Sequence, residues 1–135
     1  MKAAEADFSE SLDIRRELAK ENPSAFRPEL ALTLIGRGSF FILNNQSKKA
    51  EADFSDALDI QRAVAEENPD VFGDTFARNV LLVAGNFQAI GNFRRACTVA
   101  SEQLPSSVST DLLNVINAFK LKMCSDLTQD TGQSR

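Results

Sequence analysis

From Ala50 onward, apolar residues fall at three- and four-residue steps: Ala50, Phe54, Ala57, Leu58, Val64 and Ala65. That spacing sets them in one stripe of an α-helix. Glu51, Asp56, Asp59, Arg62 and Glu66 take the opposite side and read as a solvated face. The helix stops where Asn68 meets Pro69, because the residue before a proline avoids helical backbone. The same pattern runs from about Ala4 to Asn22 and Pro23. Between these two stripes, Leu30, Leu32, Leu34, Ile35, Phe40, Phe41, Ile42 and Leu43 are apolar on almost every side, which predicts a helix buried on more than one face. Pro28 suits its first position, and Asn44 to Ser47 supply the following turn. An equivalent segment runs from Asp74 to Ile90 and turns at Gly91-Asn92. A shorter helix stops near Leu104-Pro105. A last one carries the stripe Val108, Leu112, Val115, Ile116, Phe119 and Met123, with Asp111, Asn114, Asn117, Lys120 and Lys122 on its polar side. The pattern thus predicts an all-α chain with helices over about 3–22, 28–44, 48–68, 74–90, 92–104 and 108–127. One domain over 1–127 is expected, then a disordered polar tail over 128–135.

The two long stripes are copies. Residues 4–26 and 50–72 share 15 identities in 23 positions, including Glu5 to Ser9 against Glu51 to Ser55. A fixed period of 46 signals a repeat architecture built from stacked helix pairs. The intervening halves behave differently: residues 28–50 and 74–96 agree only at Ala31/Ala77, Phe41/Phe87 and Ala50/Ala96. One half of the unit is retained between copies and the other has diverged. The chain opens inside a repeat, with a second helix that lacks its first. The Phe8–Leu12–Ile14 side of that helix is therefore expected to be uncovered, open to a homodimer or to upstream repeats.

Composition narrows the function by exclusion. The net charge of -4 argues against nucleic acid and against an anionic membrane surface as partners. No apolar run approaches a bilayer span, and no leading basic-plus-apolar segment reads as a signal peptide, so the chain reads as cytoplasmic. Histidine is absent, which removes the usual general base and the commonest metal ligand. No constellation of nucleophile, base or metal ligands stands out. The chain is therefore read as no enzyme, with no cofactor and no metal. Gly36-Arg37-Gly38 lies inside a helical pattern, where close helix packing explains it better than a phosphate loop. Cys97 and Cys124 form no CxxC motif and read first as two buried free thiols, with a disulfide or redox pair as the alternative. The acids Glu5, Asp7, Asp13, Glu51, Asp53 and Asp59 read as a solvated face. Phenylalanine is expected in the core, with Phe40 and Phe76 as candidates for a binding face.

With the repeat in place, the sequence resembles the tetratricopeptide repeat family, in the long-helix variety of bacterial signalling proteins and kinesin light chains. The family's large, small and aromatic positions of the first helix fall on Leu34, Gly38 and Phe41, then on Val80, Val83-Ala84 and Phe87. Its small, aromatic and small positions of the second helix fall on Ala50, Phe54 and Ala57, on Ala4, Phe8 and Ser11, and in part on Ala96 and Ala100. Pro23 and Pro69 follow the helices as the family's proline does. The likeness covers about residues 3–104. It departs in its period of 46 rather than 34 and in Arg37, which stands where the family carries a large apolar residue.

The resemblance implies an α-α superhelix, a solenoid of antiparallel helix pairs closed by a C-terminal capping helix. It also implies a protein-interaction scaffold whose first helices line a concave surface. Here those inward positions are Leu32, Ile35, Gly36, Ser39 and Ile42, then Arg78, Leu81, Leu82, Gly85 and Gln88. They are mostly apolar with Arg78 the one cation, so the family's carboxylate clamp is not matched. A protein or peptide ligand is expected, amphipathic or extended and apolar, with one acidic group for Arg78. The alternative is a structural self-association module, a homodimer through the unpaired N-terminal helix or the end of a longer array.

Overall fold

The computed structural model describes residues 2–133, with side chains described for residues 3–125. The helices are α1 (Lys2–Glu21), α2 (Pro23–Leu43), α3 (Ser47–Glu67), α4 (Pro69–Ala89), α5 (Phe93–Ala100) and α6 (Thr110–Gln133). No strand occurs among the described residues, so the chain is all-α there. It divides into two compact units, Met1–Glu67 and Asn68–Arg135. Among the described residues no helix is long and apolar enough to cross a membrane.

The period of the sequence is also a period of the backbone. α2 and α4 begin 46 residues apart, at Pro23 and Pro69, and end 46 apart, at Leu43 and Ala89, although their sequences have diverged. Asn22 and Asn68 precede them with nearly equal backbone angles, φ -143, ψ 80 and φ -146, ψ 76. Both turns that follow contain a left-handed residue, Asn45 at φ 61 and Gly91 at φ 75. Asparagine and glycine tolerate that conformation best, which is why these two types share the position.

Several boundaries correct the sequence reading. α2 starts at Pro23 rather than Pro28, and α4 at Pro69 rather than Asp74. Proline at the first helical position forfeits no intrahelical bond, so one extended asparagine suffices as linker. Pro28 lies inside α2 instead, where it removes one backbone bond of the helix. α5 ends at Ala100, earlier than 104, where the Ser101 hydroxyl donates to the Cys97 carbonyl at 2.7 Å. α6 starts at Thr110, because the Ser109 N–H is taken by Asp74 Oδ1 at 2.8 Å. Its backbone stays helical to Gln133, where a disordered tail was expected from 128. Residues 134–135 lie outside the described residues.

In the first unit α2 packs against both α1 and α3. That explains its nearly uniform apolar surface: Leu30, Ala31, Leu34, Ile35, Gly38, Phe41 and Ile42 are all buried. Gly38 is the point of closest approach to α3. A Cβ there would lie 2.5 Å from Cε1 of Phe54, well inside contact distance. Next to it, Arg37 makes a two-pronged ion pair with Asp53, Nε to Oδ2 at 2.7 Å and Nη2 to Oδ1 at 2.8 Å. Asp53 is 4 % exposed, so the reading of this carboxylate as part of a solvated face is overturned. The Arg37 guanidinium also lies 5.6 Å from the Phe41 ring centre and donates to Ser9 Oγ of α1 at 3.4 Å. Lys49 covers the same ring at 5.5 Å and pairs with Glu5 at 3.6 Å. The bond to Asp53 raises the Arg37 pKa above its ordinary value, against the opposing effect of burial, so the guanidinium is charged at any working pH.

In the second unit α4, α5 and α6 pack against one another. Ala77, Val108 and Ile116 form a buried cluster, with Leu81, Leu104, Leu112 and Leu113 against it. Val115, expected in the α6 stripe, is exposed instead, and Leu113 is the residue at this cluster. The start of α4 holds the loop before α6: the Ser107 hydroxyl donates to the Pro69 carbonyl at 2.6 Å. Cys97 of α5 and Cys124 of α6 form a disulfide with Cα atoms 5.0 Å apart, which corrects the expectation of free thiols. A separation of 27 residues outside any motif gives no hint of this bond; the docking of α6 along α5 creates it.

Two outcomes follow from this packing. Gly38→Ala should destabilise the chain by about 1–3 kcal/mol in urea unfolding, because a buried Phe54 ring has nowhere to retreat. Unchanged stability would contradict the close approach. Reduction, or Cys97→Ser, should cost about 3 kcal/mol through the lost closure of a 27-residue loop. Coincident unfolding curves with and without reductant would rule the staple out.

Candidate functional site

α4 carries a buried and an open side. Phe76, Ala77, Asn79, Val80, Val83, Ala84 and Phe87 are buried, which removes Phe76 as a candidate for a binding face. The other side carries Arg78, Leu81, Leu82, Gly85, Asn86 and Ala89, which line an open depression of about 510 Å3. The spacing is helical throughout, three or four residues at each principal step, so one helix presents the whole row. Leu82 is 50 % exposed. A Cβ at Gly85 would meet nothing within 4 Å, so the floor of the depression is bare backbone with free space above it.

The polar groups of this surface are few. Arg78 is exposed, and among the described residues no carboxylate pairs with it. Asn86 folds its amide back, Nδ2 donating to the Leu82 carbonyl at 3.0 Å, which leaves the side-chain oxygen to accept a bond. An apolar row with one cation at its head suits a ligand with apolar side chains and an acidic group. Among the described residues no group of three or more His, Cys, Asp or Glu could hold a metal.

Of the expected positions on α4, Arg78, Leu81 and Gly85 line this depression, as does Leu82. Leu81 is divided between it and the core cluster under α4. Gln88 is half-buried and outside the lining. Asn86 and Ala89 were missed, although each lies four residues beyond a position already named, Leu82 and Gly85. On α2, Leu32 is 52 % exposed and Ser39 half-buried, whereas Ile35 and Ile42 are buried at 3 % and 7 %. Those two side chains lie in the core, not on an open face. α2 is packed by a helix on each of two sides, and isoleucines at that spacing fall in the core. Phe40 stacks with its ring centre 5.7 Å from Phe8 and 5.8 Å from Phe41, a packing role.

A second depression, about 580 Å3, lies in the first unit among Arg16, Glu17, Lys20, Arg27, Leu30 and Ile60. Its cations already have carboxylate partners: Arg16 with Asp13, Lys20 with Glu17 at 3.2 Å and Arg27 with Glu67. It therefore offers a neutralised rim, and the α4 surface is the stronger candidate. Compared with models of protein families, with curated proteins and with solved structures, the chain has no match.

Proposed function

We propose that the chain is a protein-interaction scaffold of the tetratricopeptide-like kind, its helix pairs stacking into an α-α superhelix and its partner, a protein or peptide, held along α4. The observation that carries this reading is the open depression over Arg78, Leu82 and Gly85, on the helix whose sequence has diverged from its counterpart. Leu82 and Ala89 are exposed and Leu81 is half-buried, and a ligand laid along them would take this apolar surface out of water. One unpaired arginine at its end supplies orientation, because a carboxylate of the ligand gains most from a cation with no competing partner. The ligand is an amphipathic or extended apolar segment bearing an acidic residue. The reading involves no enzymatic step, no cofactor, no nucleic acid and no membrane.

Location bears on this function through the disulfide. The cytoplasm opposes disulfides, so the cytoplasmic location expected from the sequence competes with the Cys97–Cys124 bond. Alkylation of free thiols in freshly lysed cells, read by mass, decides between the two.

The binding surface is tested with peptides selected from a random displayed library against the full chain. Leu82→Glu should weaken selected peptides by about tenfold or more, the loss of one interface anchor. Arg78→Ala should abolish the preference for an acidic position while leaving the helix content unchanged. Equal affinity for both variants and the parent, or a selection that returns no peptide, contradicts the reading.

A further inference from the structure

α1 and α3 are two copies of one helix, and only one of them is covered. On α3, Ala50, Asp53, Ala57 and Val64 form a buried row, and Ile60 is half-buried beside it. Their counterparts 46 residues earlier are Ala4, Asp7, Ser11, Leu18 and Ile14. None of these is buried: Asp7 is exposed and Ile14 is 54 % exposed. The neighbouring side of α1 is in use, because Phe8 meets Phe40 and the Arg37 guanidinium reaches Ser9. The open row is therefore a separate face, one helical step away from the contact with α2.

The molecule itself displays what fits such a row. On α3 the occupant is α2, whose Arg37 engages Asp53 and whose Gly38 admits Phe54. Asp7 and Phe8 stand in α1 at the places of Asp53 and Phe54. Among the described residues no cation pairs with Asp7. A second α1 in parallel register is a poor occupant, since it sets Asp7 against Asp7, and Arg15 beside the row is already engaged, its Nη1 donating to Ser11 Oγ. A helix carrying a cation is favoured on charge alone.

We propose that the Ala4, Asp7, Ser11 and Leu18 row of α1 docks a helix of α2's kind: an arginine followed by glycine, with a large apolar residue one turn before and an aromatic one turn after. The arginine takes the Asp7 carboxylate, and the glycine lets the incoming backbone approach the row closely. This site is independent of the α4 surface and stands or falls separately from it.

The repeat supplies the test construction. Residue 1 is the 46-residue counterpart of Ser47, so a second copy of residues 23–46 joined directly before Met1 reproduces the α2–turn–α3 register ahead of α1. The extended chain should be monomeric and melt about 5 °C or more above the parent. Asp7→Asn, or alanine in place of the added copy's arginine, should remove most of that gain. Asp7→Asn in the parent chain should leave its melting temperature unmoved, because the carboxylate there is exposed. In a second measurement, a labelled peptide of residues 23–46 added to the full parent chain should bind, and bind about tenfold or more weakly to Asp7→Asn. No gain on extension, a gain that survives both substitutions, or peptide binding indifferent to Asp7→Asn would overturn the proposal. A parent chain that sediments as a dimer held by α1 would overturn the choice of occupant.

Discussion

Arg37 and Asp53 make two parallel hydrogen bonds between α2 and α3 at a place where almost no water reaches the carboxylate. Burying either charge alone would cost several kcal/mol, so each tolerates its position only because the other is there. The planar guanidinium fixes not just that the helices touch but where they touch, since two parallel bonds hold in one register. Gly38 follows Arg37 directly, and the space left by its missing side chain receives the Phe54 ring. Polar pairing and apolar fit thus specify the same alignment from adjacent residues. The guanidinium continues to Ser9 of α1 and lies over Phe41, so the first unit is organised around one side chain.

The second unit solves the same problem by other means. At the positions 46 residues after Gly38 and Phe54 stand Ala84 and Ala100, both buried, so a glycine–phenylalanine pair has become an alanine–alanine pair. Volume lost on one helix is partly returned on the other. The residue at the place of Arg37 is Val83, fully buried, and no ion pair is needed there. In its stead α5, only 8 residues long, is tied to α6 by a disulfide. A helix that short has little apolar surface with which to hold itself, and the covalent link supplies what packing does not. α4 is thereby anchored on one side and leaves its other side open.

The helices, their order and the 46-residue period were legible in the sequence because apolar spacing at 3.6 residues is a local signal. So was the use of Gly38 for close helix packing. The pairing of Arg37 with Asp53 was not, because a carboxylate among Glu51, Asp56 and Asp59 looks solvated until a neighbouring helix is laid over it. The burial of Ile35 and Ile42 was missed for the same reason: α2 is covered by a helix on each of two sides, and a pattern apolar all round cannot say which apolar residues stay open. On α4 the open row was mostly legible, since Arg78 marks its exposed side and helical spacing carries the line from there to Leu82 and Gly85. The disulfide depends on tertiary docking alone and left no trace in spacing.

The account rests on the claim that Arg37 and Asp53 act as one unit. A double-mutant cycle in urea measures this directly, with Arg37→Ala, Asp53→Ala and the pair unfolded under the same conditions. Each single change should cost about 3 kcal/mol, by leaving an uncompensated charge in the interior. The double change should cost less than their sum by about 1–3 kcal/mol. Costs that add to within about 0.5 kcal/mol would contradict the claim, and the alignment of α2 on α3 would then owe nothing to the ion pair.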